Sequence, residues 1–186
     1  PGANYSLLPG SIIHFSKVID EADIIVMQAE IPYETIKRIA LLAKQKGKKV
    51  LFNPAPACLI DEERMKAIDI LEAAFISRIE YTGNNLEENA LSLLQAGARN
   101  AVITLGSQGV YMKNDKEIIQ LPGYKVNAID TIAAGDTFCG ALAVICAQRE
   151  IDRDALSFAN AAAAIAVTRS GAQPSIPTLD EVKHFM

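Results

Sequence analysis

No apolar run in these 186 residues reaches the length of a membrane span, although half of them are hydrophobic. A helical membrane protein is therefore not expected, and the opening residues do not read as a signal peptide. Net charge is −4 and basic residues do not cluster, so the electrostatic footprint of a nucleic-acid binder is missing. Cysteine is scarce: Cys58, Cys139 and Cys146 are odd in number and spaced for neither a zinc site nor a disulfide framework. Reduced thiols of a cytoplasmic protein are the simple reading, with Cys139 and Cys146 on one face of a predicted helix as core residues. The two histidines, His14 and His184, have no ligand-spaced partners and take no role. Gly-x-x-x-x-Gly-Lys-Ser/Thr is absent, and no Gly-x-Gly-x-x-Gly opens a helix, so neither a P-loop nor a dinucleotide fingerprint is present. Repeats, linkers and low-complexity segments are also lacking, which leaves residues 1–186 as one core-bearing domain.

What the chain does contain is an alternation of strand and helix patterns. Asp23–Gln28, Lys49–Asn53 and Ala101–Leu105 are short apolar, β-branched runs. Between the first two, Tyr33–Lys46 has apolar residues at Ile36, Ile39, Ala40 and Ala43 and a Gly47 stop, the period and the end signal of a helix. Asn85–Ala96 repeats the pattern with Leu86, Ala90, Leu93 and Leu94. Strand, helix, strand implies a parallel sheet. Past Gly109 the texture changes, and Val110-Tyr-Met and Glu117-Ile-Ile-Gln around Asn114-Asp115 predict an edge hairpin. Two helices are predicted to follow, from about Gly135 to Gln148 and from about Asp152 to Arg169.

The most informative stretch is Val126-Asn-Ala-Ile-Asp130-Thr-Ile-Ala-Ala-Gly135-Asp136-Thr-Phe-Cys-Gly140. A partly apolar lead-in stops at Asp130, small residues make a turn, and an apolar helix starts near Gly135. Unpaired N–H groups and the positive end of the helix dipole make such a start an anion site that fits a phosphate. The dipole also favours an ionised Asp136, placed to take a proton from a hydroxyl beside that phosphate. In an open parallel sheet, ligands sit beyond the carboxyl ends of the strands. Glu30, Asn53-Pro54, Gly106–Gly109 and Asp130–Asp136 all follow strands and are expected on that one rim.

Asp130-Thr-Ile-Ala-Ala-Gly-Asp-Thr-Phe138 resembles the signature of the ribokinase family of sugar kinases. Phe158–Pro177, Asn53-Pro-Ala-Pro-Ala57, Ile103-Thr-Leu-Gly-Ser-Gln-Gly109 and Met27-Gln-Ala-Glu30 are similar to that family too, and the resemblance covers nearly the whole chain. It implies a doubly wound, mostly parallel α/β sheet with helices on both faces and ATP-dependent phosphorylation of ribose at its 5-hydroxyl. Other sugar or nucleoside kinases of the family, or a nucleotide-binding module without turnover, are the alternatives. By the same resemblance Asp136 is the catalytic base, and the N–H groups of Ala133, Ala134 and Gly135 form an anion hole for the transferring phosphoryl. Thr104, Leu105, Gly106, Ser107, Gln108, Gly109 and Asn160 line the ATP site, with a solvent-facing helical role the alternative for Asn160. Glu30 accepts hydrogen bonds from the sugar. Asp130, the carbonyls of Ile132, Ala166, Arg169 and Gly171 and the hydroxyl of Ser175 form a site for a monovalent cation, K⁺. The family also implies a cytoplasmic homodimer.

Two departures from the family pattern stand out. Asp69-Ile-Leu71 resembles the strand before Thr-Pro-Asn-x-x-Glu, which helps to hold Mg²⁺, but Leu71 runs straight into Glu72. Glu72 takes the place of the motif's glutamate, and the asparagine is missing. The Gly-Gly-x-x-x-Asn sugar loop and the lid strands have no counterpart either, so this chain is expected to bind ATP by itself without phosphorylating sugar.

Overall fold

The computed structural model describes residues 2–56, 67–74 and 86–186, with the backbone alone for 71–74. Ala57 and Cys58 lie outside the described residues, as does Asn85. Six strands lie side by side in chain order: β1 (Ile24–Gln28), β2 (Lys49–Asn53), β3 (Ile70–Ala74), β4 (Asn100–Thr104), β5 (Val110–Asn114) and β6 (Ile118–Leu121). β1 pairs with β2 and β2 with β3 in parallel, Ile24 opposite Lys49 and Leu51 opposite Ile70. Val50, Leu51 and Phe52 of β2 and Ala101, Val102 and Ile103 of β4 are all fully buried, inward and outward positions alike. Such continuous burial marks strands covered on both faces.

The described residues form two compact units, Pro1–Ile103 with Met112–Ile118, and Thr104–Tyr111 with Ile119–Met186. In the first, 3₁₀ turns at Gly2–Ser6 and Pro9–Phe15 lead into a short helix, α1 (Ser16–Glu21), ahead of β1. α2 (Tyr33–Gln45) then buries Ile36, Ala40 and Ala43, and Thr35 ties it back by donating its hydroxyl to the Leu7 carbonyl. The expected Gly47 stop is present: Gly47 N–H donates to Lys44 and Lys48 N–H reaches back to Ala43, closing the last turn. After β3 comes α3 (Leu86–Gln95), with Ala90 and Leu93 inward. Asp69, just before β3, accepts Val50 N–H on its side chain and both Asn100 amides on its carbonyl, stitching β2 and β4 to the start of that strand. β5 and β6 make the expected hairpin, its turn closed by Asn114 Oδ1 accepting from Lys116 and Glu117 N–H.

In the second unit α4 (Ala134–Gln148) packs against α5 (Arg153–Ala166). Phe138, Cys139, Leu142 and Cys146 are buried on α4, so the two cysteines are core residues and form no disulfide. Asp152 caps α5 by accepting Ala155 N–H. α5 ends at Ala166, three residues before the Arg169 that its composition predicts. There the backbone tightens, Thr168 N–H donating to Ile165 and Arg169 N–H to Ala166, and the Val167 carbonyl is left to accept Ile129 and Asp130 N–H. A last helix, α6 (Leu179–Phe185), opens on a reciprocal cap between Thr178 and Glu181 and buries Val182 among Ala161, Ala162 and Ile165.

Candidate active site

Asp130 shapes the turn that feeds α4. Its Oδ1 accepts Ile132 N–H at 2.9 Å and its Oδ2 accepts Gly171 N–H at 3.0 Å. These donors, Gly171 first and Ile132 second, hold the carboxyl below the usual aspartate range. Its own N–H, with that of Ile129, goes to the Val167 carbonyl, so the turn hangs from the end of α5.

The turn then passes through Ala133 at φ 60°, ψ 11°, a left-handed conformation that costs a residue with a Cβ about 1–3 kcal/mol. Ala134 returns to the helical region, and a left-handed residue followed by a right-handed one points successive amides into one concavity, a nest for anions. Ala134 N–H is partly spent on the Thr131 carbonyl at 3.3 Å. The N–H groups of Ala133, Gly135 and Asp136 have no partner among the described residues. Ala133, Gly135 and Asp136 are therefore the better donors, with Ala134 the least available of the expected set.

Gly135 adds a second observation. It is exposed, its φ is not positive, and a Cβ built on it meets nothing within 4 Å. Neither backbone geometry nor neighbouring atoms require glycine there. The open space over Gly135 leaves its amide accessible from outside the helix. The Asp136 carboxylate, one residue on, is exposed and has no partner among the described residues.

The segment after α5 supplies the oxygen atoms expected around a cation. Ser175 is fully buried and donates its hydroxyl to the Ala172 carbonyl at 2.6 Å, leaving its own lone pairs available. The Ala166 carbonyl accepts Arg169 N–H at 3.1 Å and keeps a second lone pair. No group of three or more His, Cys, Asp and Glu that could hold a metal ion occurs among the described residues, and the donors expected here are one carboxylate, carbonyls and a hydroxyl. Hard oxygen donors with a single negative charge fit a monovalent cation. Arg169 directs its guanidinium onto Glu181, whose carboxyl is lowered to about 2, chiefly by that hydrogen bond.

The candidate nucleotide loop is a single 3₁₀ turn, Gly106–Gln108, closed by Leu105 N–H donating to the Gly109 carbonyl at 2.8 Å. Gly106, Ser107 and Gln108 are exposed. Behind them the chain crosses itself at Gly109 and Gly123. Asn160, 8% exposed, donates Nδ2 to the Pro122 carbonyl at 2.9 Å and so fixes that crossing to α5. It does not face solvent as an ordinary helical Asn would. Pro122-Gly123 reads in the sequence only as a turn dipeptide, and nothing local shows that it meets the 106–109 loop across the intervening hairpin.

α5 is common to both groups: Asn160 serves the loop and Val167, just past its end, carries the turn. Seven residues of helical rise separate them by about 10 Å. Glu30 and Glu72 belong to the other unit. Glu30 is exposed in the turn after β1, beside a chain pairing in which Ala29 N–H donates to Ala55. The backbone of β3 runs through Glu72 to Ala74, so this residue is within the strand.

The model of the pfkB family of carbohydrate kinases matches residues 2–179, and the chain belongs to that family. It is 38% identical to the ribokinase of Staphylococcus aureus (strain COL), covering 97% of this chain and 62% of that protein. Among solved structures it is similar to Thermotoga maritima ribokinase, with 38% identity, a TM-score of 0.88 and coverage of 98% of this chain and 62% of the other. An Arabidopsis thaliana ribokinase complexed with ribose and ATP follows, with 27% identity, a TM-score of 0.85, and coverage of 92% and 58%. The fold is thus the ribokinase α/β fold. The chain spans 62% of the length of the Staphylococcus aureus and Haemophilus influenzae ribokinases it matches.

Proposed function

We propose that the protein carrying this chain transfers the γ-phosphoryl group of ATP to the 5-hydroxyl of ribose. The observation that carries the reading is the turn from Ala133 to Asp136, where open amides, the positive end of a 15-residue helix and an unpartnered carboxylate occupy neighbouring residues. Family membership and the likeness to ribokinases support the choice of phosphoryl donor and acceptor.

In this reaction Asp136 takes the proton of the 5-hydroxyl while that oxygen bonds to the γ-phosphorus and the bond to the ADP oxygen breaks. Charge on the transferring oxygens is met by the amides of Ala133, Gly135 and Asp136, with Ala134 contributing less. Phosphoryl transfer depends mainly on placement and charge stabilisation, so a weak base such as aspartate suffices. Thr104, Leu105 and Gly106–Gly109 hold the nucleotide, and Asn160 braces them through Pro122. Glu30 accepts hydrogen bonds from the sugar hydroxyls. Mg²⁺, when bound, would neutralise phosphate charge; Glu72, which the family pattern offers for it, lies within β3 and not past its end. K⁺ is assigned to Asp130, Ile132, Ala166, Arg169, Gly171 and Ser175, whose oxygens fit it. A cytoplasmic homodimer completes the reading.

The test is ADP release from MgATP with ribose, 2-deoxyribose or fructose as acceptor, and ³¹P NMR of the product. The reading expects ribose to be preferred and phosphorus to appear on O5. Release that ignores the sugar, or a marked preference for another acceptor, overturns it.

A further inference from the structure

Glu181 lies outside the turn, the nucleotide loop and the proposed cation ligands, yet its carboxylate serves two elements at once. Oε2 accepts Thr178 N–H at 2.7 Å and the Thr178 hydroxyl at 3.1 Å, and Thr178 Oγ1 accepts Glu181 N–H at 3.3 Å. This is the reciprocal cap of α6. Oε1 accepts Arg169 Nη2 at 2.6 Å, while Nη1 stands 3.4 Å from Oε2. α6 is itself seated on α5: Val182 is 2% exposed, and the Phe185 ring lies 5.0 Å from that of Tyr124. A carboxylate anchored by a docked helix therefore holds a guanidinium at two points, which fixes the direction of that side chain. Arg169 sits between the Ala166 carbonyl, which accepts its N–H, and Gly171, whose N–H binds Asp130.

We propose that Glu181 is a positioning residue for the monovalent-cation site: through Arg169 it holds the backbone of residues 169–171 in register with Asp130, so cation affinity depends on docking of the C-terminal helix. This rests on the cation-site reading above. Arg169 and Glu181 are partly exposed, with side chains 33% and 44% accessible, and a surface ion pair by itself adds little stability. The effect expected is on cation binding.

Melting temperature is measured against KCl concentration, with LiCl holding ionic strength constant, since a cation bound to the native state raises Tm by mass action. Glu181→Gln and Arg169→Lys should each raise the half-effective KCl concentration by about tenfold. Thr178→Ala, which removes the hydroxyl half of the cap but leaves the residue-178 N–H bond to Glu181 and the Arg169 pair, should move it by less than about twofold. Lowered Tm in Glu181→Gln with an unchanged KCl midpoint overturns the proposal and makes the pair merely structural. A parent protein that shows no difference between KCl and LiCl overturns the cation site itself, a distinguishable result that removes the proposal with it.

Discussion

Gly109 and Gly123 cross backbone to backbone: a Cβ on Gly109 would stand 2.1 Å from the Leu121 carbonyl oxygen, and one on Gly123 would stand 2.2 Å from that of Ser107. Backbone atoms on both sides leave no flexible side chain to give way. The crossing sets the shape of the loop that is assigned to the nucleotide.

Gly123→Ala should therefore cost about 1–3 kcal/mol of stability, the usual penalty of overpacking. It should also weaken ATP binding by calorimetry, because Ser107 must move. An unaltered dissociation constant would show that the 106–109 loop does not touch the nucleotide.

Gly135→Ala separates the fold from the site. In the first turn of α4, Ala is a better helix former by up to about 1 kcal/mol, and nothing lies within 4 Å to clash with it. Stability should hold or rise while ATP affinity falls by about tenfold or more. A stabilised variant that binds ATP as well as the parent would remove the Gly135 amide from the phosphate site.

Asp130→Ala should shift activation by K⁺ to higher concentration, since it removes the one formal negative charge among the assigned ligands. Activity is titrated with KCl at constant ionic strength, because bulk salt also screens charge. If the half-activating concentration stays put, Asp130 serves only to join Ile132 to Gly171.

Acid should act on the cap of α6. The Glu181 carboxyl is lowered from 4.5 to about 2 in the folded chain, so its contribution to stability is complete above 4.5 and is lost as pH falls through about 2. The difference in Tm between the parent and Glu181→Gln should be constant from neutral pH to about 4.5 and shrink below it. A difference that shrinks on going above pH 5 would contradict the assignment.

Much of the fold was legible because it is written in local patterns. The Lys49–Asn53 strand, the Gly47 stop, the Asn114 hairpin and the start of α4 within one residue of Gly135 all follow from apolar period and turn chemistry. Thr178-Leu-Asp-Glu181 also spells a capping box, and that signal marks α6 although apolar spacing alone does not. The rest depends on distance along the chain. Ala133 gives no hint of its left-handed backbone, since alanine is a helix former without preference for positive φ. Asp130 meets Gly171 across 41 residues, and Asn160 meets Pro122 across 38. Such contacts exist only once the helices have packed, so composition and spacing carry no trace of them.

The central claim is that Asp136 is the base beside an anion-binding turn, and Asp136→Asn tests it most directly. Asparagine keeps the size and the first-turn position but cannot take the proton. Ribose-dependent ADP release in the intact protein should fall by about 10²–10⁴, the range for a general base, while ATP affinity stays within a few-fold. Turnover within about threefold of the parent, against that expected loss, would contradict the account.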